Sequence, residues 1–240
     1  MSRGPRIKVL HVITRLVRGG AQRVLIDLLR GLDRERFEVS LVAGEQTGRE
    51  GSLWPEARGL GIETAALPAL VREIAPLRDL RALRRLGRLL RERRPDIVHA
   101  HTSKAGLIGC AAARKAGVPG VVLAPHGHIL GEDARIPGVP RRGLRRRVLA
   151  LMARRSGRYA DVVIAPNDSE REASIRLGLS TEEQAVTVPN GVDAERFRPG
   201  DRQGARALLG LSSADTVVGA VARLTVEKGI DLAVEAVAEL

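Results

Sequence analysis

The chain has 240 residues, 44% of them hydrophobic, enough for one large domain or for one of roughly 150–200 residues with part of a second. No run approaches the roughly 18 apolar residues of a membrane span, and the single cysteine, Cys110, excludes an internal disulfide and a cysteine metal site. A formal charge of +12, with all but four of the 40 basic residues arginine, attracts nucleic acid, anionic lipid or nucleotide diphosphates without choosing among them.

The start, MSRGPRIKVLHVI, is charged, but its apolar stretch is short and alternates, and no small-residue cleavage site follows. It reads as a first strand, Ile7 to Ile13, and not as a leader, which makes the cytoplasm the natural compartment. A helical stripe follows at Ala21, Val24, Leu25, Leu28, Leu29 and Leu32. FEVSLVA predicts a second strand and IETAALP a weaker third. Leu77, Leu80, Leu83, Leu86 and Leu90 mark a long helix that stops before Pro95. DIVHAH is a fourth strand, followed by a small-residue helix from Lys104 to Ala116 that holds Cys110 as a packed residue. GVVLAPHG is a fifth strand and ADVVIAPN a sixth, after which Ser169 and Glu172 have the spacing of a capping box. Strands regularly separated by helices predict an α/β fold with an open, mostly parallel sheet. PNGVDAERFRPGDRQG is turn-rich and reads as a connection. Beyond it come a short helix, ARALLGL, a fresh strand in TVVGAVARL, and a last helix in EKGIDLAVEAVAEL.

Ligands of open α/β sheets sit beyond the carboxyl ends of the strands. After the first strand, Gly19 and Gly20 precede a helix, where free N–H groups meet an anion; a plain turn is the competing reading. After the fourth come His101, Thr102, Ser103 and Lys104, and after the fifth His126 and His128. His99, His101, His126 and His128 gather at these two ends, and His11, inside the first strand, reads as structural. No acidic residue accompanies the histidines, so no metal site is expected. Hydrogen bonding or proton handling suits them better, with a purely structural role open for His126 and His128. Arg223 and Lys228 flank the last strand-to-helix turn, where two cations beside a helix N-terminus suit a diphosphate.

Six segments in order, GGAQRVLIDLLRGL, DIVHAHTSKAGLIGCAAARKAGVP, PHGH, ADVVIAPNDSERE, VPNGVDAERFRP and VARLTVEKGIDLAVEAV, resemble the retaining glycosyltransferases of family 4. HTSKAG resembles the branch that builds capsular, exopolysaccharide or lipopolysaccharide units. The resemblance implies the GT-B fold of two Rossmann-like domains. It divides the chain into an acceptor-side domain over 1–195, a linker and short helix over 196–212, and the start of a donor-binding domain over 213–240. It further implies transfer of a sugar from a UDP- or GDP-linked donor to a glycan or polyprenyl-linked acceptor, with retention and with no metal or other cofactor. On this resemblance His126 stands at the transfer site. Gly19, Gly20, Arg223 and Lys228 hold the donor diphosphate, and His101, Ser103, Lys104 and His128 lie on the acceptor side. The family's second domain carries a Glu, seven residues and a second Glu, which contact the donor; nothing after Lys228 matches them. The expectation is therefore a fragment with little or no activity of its own.

Val139 to Tyr159 is the densest basic stretch, with Leu144, Val148, Leu151 and Met152 on one helical face among Arg141, Arg142, Arg145, Arg146, Arg154 and Arg155. A basic amphipathic helix reads as an inner-leaflet membrane contact or as an ordinary surface helix. Three other readings compete: a sugar-nucleotide epimerase on the same fold, a scaffold whose partner supplies a missing domain, and a basic nucleic-acid-binding protein. Aromatic residues at 2% leave the last almost no stacking platform, so no nucleic acid is expected.

Overall fold

The computed structural model describes residues 5–127, 143–222 and 224–239. Seven strands form one parallel sheet in the order β3-β2-β1-β4-β5-β6-β7. They are β1 (Ile7–Ile13), β2 (Phe37–Ala43), β3 (Glu63–Ala66), β4 (Ile97–His101), β5 (Gly120–Ala124), β6 (Val162–Ala165) and β7 (Ala185–Thr187). The helices are α1 (Gly20–Gly31), α2 (Trp54–Gly59), α3 (Pro76–Arg93), α4 (Ser103–Ala116), α5 (Leu144–Tyr159), α6 (Asp168–Arg176), α7 (Arg202–Leu208) and α8 (Ile230–Ala238).

Alternation along each strand sorts side chains between two faces. Leu10 and Val12, Val98 and Ala100, Val121 and Leu123, and Val163 enter one core with Ala82, Leu86 and Leu90 of α3 and the small residues of α4. Fully burying a leucine is worth about 1.5–3 kcal/mol, so this face carries much of the domain's stability. Helix α4 reaches the sheet closely because it is small there: a Cβ on Gly109 would stand 3.2 Å from the Ala100 methyl. Cys110 is fully buried beside it, and burial pushes its thiol up to about 12. On the other face Ile13, Val39, Leu41 and Ala43 pack under Leu25, Ile26 and Leu29 of α1 and Trp54 and Ala57 of α2. Past α1 this face opens into a cavity of about 620 Å³, walled by Ile97, Val122 and Ile164 of the sheet and by residues 188–193.

Several details depart from the sequence reading. Helix α3 buries Ala82, Leu86 and Leu90, whereas Leu77 and Leu80 at its start are exposed; the buried stripe follows the i, i+4 row on the sheet and leaves the first turn overhanging. Asn167 caps α6, its side chain accepting from the Glu170 N–H at 2.8 Å. The Ser169–Glu172 pair is therefore no capping box, because Ser169 already lies inside the helix. Residues 213–221 contain no strand, and Val217, Val218 and Val221 are exposed. An extended segment without a neighbouring strand has no ladder to join. Helices α7 and α8 follow the predicted positions and bury none of their residues. Among the described residues no helix is long and apolar enough to cross a membrane.

Candidate functional site

A fully parallel sheet puts the carboxyl ends of all its strands on one edge, where the predicted residues collect. Residues 14–19 leave β1 and are braced by a second segment: Arg18 N–H donates to the Gly51 carbonyl at 3.2 Å, and Leu53 N–H to that of Leu16 at 2.7 Å. Gly19 stands at the N-terminus of α1 with φ −155°, an extended conformation open to any residue. A Cβ on Gly20 would enter open space and one on Gly19 would meet only the end of the Gln22 side chain, at 2.7 Å, so the chain's own backbone packing demands neither glycine. The first turn of α1 has neither a side-chain cap nor an acidic residue, so its N–H groups and dipole are available to an anion.

At the end of β4 the chain turns sharply into α4. Thr102 takes φ 70°, a left-handed conformation that is uncommon for a β-branched residue. Its hydroxyl lies 3.0 Å from that of Thr14, which accepts from the Ala105 N–H at 3.2 Å. Thr14 thus caps α4 from the neighbouring strand. Ser103 opens α4 and is half-buried. Lys104 is held by structure: its ammonium pairs with Asp79 at 2.7 Å and donates to the Glu73 carbonyl, tying α4 to α3.

Four histidines meet on the open face beside the cavity. His11 Nδ1 lies 3.1 Å from His101 Nε2, and His101 Nδ1 lies 3.0 Å from His126 Nε2. The His99 and His101 rings are 4.1 Å apart between centroids. His126, like Thr102, is left-handed at φ 56°. Its backbone turns the ring onto His101, and such strain gathers at functional edges. His11 and His101 are 1% exposed, and burial holds both well below the ordinary imidazole range. Burial lowers His99 to about 3 and also lowers His126. All four are therefore neutral at neutral pH. Ligand nitrogens of His11, His99 and His101 lie within 4.8 Å of one another, a spread that could surround a metal ion. Both nitrogens of His101, however, are already engaged by neighbouring rings.

Of the predicted residues, the structure brings Gly19, Gly20, His101, Ser103 and His126 to the same edge of the sheet. Lys228 is exposed in a turn at Val226–Lys228, ahead of α8, and its expected partner Arg223 lies outside the described residues. So do His128, Arg141 and Arg142; Arg145 falls within α5, and Arg146 is half-buried there. The reading of the sequence missed the share that His11 and Thr14 take. Both follow from β1 lying next to β4, with His11 opposite His99 in register.

This sheet order, flanking helices and ligand edge define an α/β protein of the GT-B glycosyltransferase fold. The Anabaena protein HepE, crystallised with UDP and glucose, superposes with a TM-score of 0.70 at 24% identity, over 98% of this chain and 58% of HepE. The family model for glycosyltransferase family 4 matches residues 18–196, and the chain belongs to that family. It is 31% identical over 225 residues to the Escherichia coli UDP-Gal:alpha-D-GlcNAc-diphosphoundecaprenol alpha-1,3-galactosyltransferase, covering 93% of this chain and 55% of that enzyme. It is 36% identical over 145 residues to D-inositol 3-phosphate glycosyltransferase 1 of Catenulispora acidiphila, covering 60% of this chain and 34% of that one. The chain thus spans about half the length, or less, of these relatives.

Proposed function

We propose that this chain is the acceptor-side part of a retaining, metal-independent glycosyltransferase that moves a sugar from a nucleotide-diphosphate donor to a lipid-linked or glycan acceptor of the cell surface. The observation that carries the reading is the placement of His126, inside the family match, at the sheet edge shared with the open N-terminus of α1. Residues 1–195 form the acceptor-side domain, 196–212 the linker, and 213–240 the start of the donor domain. Breaking the bond between an anomeric carbon and a diphosphate builds negative charge on the leaving group. The N–H groups after Gly19 and Gly20, with Arg223 and Lys228, stabilise that charge. His126 stands beside the donor sugar, Ser103 and His128 are assigned to the acceptor side, and His101, 1% exposed with both ring nitrogens engaged, acts there through His126. Lys104 acts there through the loop it anchors, since its charge is spent on Asp79.

The E. coli relative supports UDP over GDP as the donor nucleotide, and its diphosphoundecaprenol acceptor supports a lipid-linked one. A lipid-linked acceptor calls for an approach to the inner membrane face. Helix α5 is shaped for it: Leu144, Val148 and Leu151 form an exposed stripe, 77%, 44% and 62% accessible, with Arg147, Arg154 and Arg158 exposed around it. Each such cation is worth about 1 kcal/mol near anionic lipid. Arg141, Arg142, Arg145 and Arg146 extend the same basic stretch.

The test is a chimera in which the C-terminal half of the E. coli galactosyltransferase follows residue 196, incubated with labelled UDP-galactose and GlcNAc-diphosphoundecaprenol. Transfer of label that falls about a hundredfold in His126→Ala supports the proposal. Transfer unaffected by that substitution would remove His126 from the chemistry. Free sugar released equally without acceptor would favour the epimerase reading.

A further inference from the structure

The contacts among His11, His101 and His126 form a directed chain. Each of the two N···N contacts, 3.1 Å and 3.0 Å, holds one proton. A neutral imidazole carries only one, so three neutral rings have two consistent arrangements. In the first, His11 Nδ1–H donates to His101 Nε2, His101 Nδ1–H donates to His126 Nε2, and His126 keeps its proton on Nδ1. In the second every proton is on the other nitrogen, and His11 must carry N–H at Nε2.

His11 Nε2 distinguishes the two. It is buried and has no hydrogen-bond partner. Among backbone groups an orphaned buried N–H is rarer than an under-satisfied acceptor, and we extend the same preference to the ring nitrogen. The first arrangement leaves a bare nitrogen at this position, whereas the second buries an N–H with nothing to receive it. His99, whose ring lies 4.1 Å from that of His101 and 5.1 Å from that of His11, packs both in place.

We infer that His11 and His101 are positioning residues that fix His126 in its Nδ1–H form. His126 then offers a hydrogen-bond donor on the side of its ring away from His101, and accepts nothing there. If the site is the transfer site proposed above, that donor meets a sugar oxygen or a developing oxyanion. A ligand group that must itself donate is disfavoured, because accepting its hydrogen would require reversing all three rings. The effect passes from the middle of β1 to the end of β5 through two hydrogen bonds.

The test uses the 240-residue chain with 15N-labelled histidine. Long-range proton–nitrogen spectra at neutral pH separate bare from protonated ring nitrogens, with assignment by single substitution. The expected result is Nδ1–H in all three rings, the form that free histidine disfavours. An Nε2–H signal from any of the three overturns the inference. In His101→Leu, His126 should shift to mainly Nε2–H. In His101→Gln, whose amide can still donate to His126 Nε2, the Nδ1–H form should return. If His101→Leu does not fold, His11→Phe serves instead and should leave His101 and His126 as tautomer mixtures. A His126 that stays wholly Nδ1–H in His101→Leu, or in His11→Phe where that variant replaces it, overturns the inference. So does stoichiometric zinc binding that shifts His11, His99 and His101 together, since an ion would then own their lone pairs. The spectra do not depend on sugar transfer, so a failed transfer assay leaves this result standing, and the converse also holds.

Discussion

Acid should unfold this domain through its histidines before its carboxylates. His11, His99 and His101 are held neutral by burial, His99 down to about 3, whereas in the unfolded chain each titrates near 6.5. Between about pH 6.5 and the depressed folded values the unfolded state binds more protons, so stability falls as pH falls. From about pH 7.5 to about pH 5.5 each ring costs about 1.4 kcal/mol, and three cost ~4 kcal/mol. That is a large part of an ordinary domain's stability of roughly 5–15 kcal/mol. Glu56 and Asp161, which are lowered by arginine partners, lose their contribution only further down, in the carboxylate range. Urea melts followed by circular dichroism should show the midpoint dropping by roughly 1.3–4 M over that interval, for a slope of about 1–3 kcal/mol per M. Replacing His99 by Leu should remove about a third of the dependence. A midpoint unchanged from about pH 7.5 to 5.5 would mean that the rings take up protons in place, and would refute their neutrality.

Three further outcomes are expected. Lys104→Met should lower stability by about 1–4 kcal/mol in thermal melts, between the values for exposed and fully buried pairs, because it leaves Asp79 without its cation between α3 and α4. Gly157→Ala should cost about 1–3 kcal/mol or more, since its Cβ would collide with the Leu179 carbonyl; a neutral result would show that α5 moves freely there. Leu144→Asp with Leu151→Asp should leave the melt within about 0.5 kcal/mol of the parent, both residues being exposed. The same pair should abolish sedimentation with anionic vesicles, and binding that persists would dismiss α5 as the membrane contact.

Much of the sheet was legible because its strands are apolar runs that only a doubly covered parallel strand tolerates, as in IKVLHVI and GVVLA. Strand β7 escaped because three residues, AVT, carry no period, and α2 because six residues beginning Trp-Pro look like a turn. The strand anticipated near Val217 had the right composition, but nothing in composition supplies a ladder partner. His11 shows the deeper limit. Its neighbours in sequence are strand residues, and only the adjacency of β1 and β4 reveals that it faces His99 and bonds to His101. Lys104 errs the other way: a cation at a strand end looks like a ligand group until Asp79, 25 positions earlier, is seen beside it.

The burial of Cys110 gives the protein a clock of its own. The chain has one thiol, shut beneath α4 and protonated up to about pH 12. An alkylating reagent meets no thiolate and has no path to it while α4 lies on the sheet. Each labelled molecule therefore records one departure of that helix. Where alkylation outruns reclosing, counting labelled molecules over time reads the opening rate of the central layer; at lower reagent concentration it reads the equilibrium population of the open form, with no dye, tag or engineered residue to disturb it.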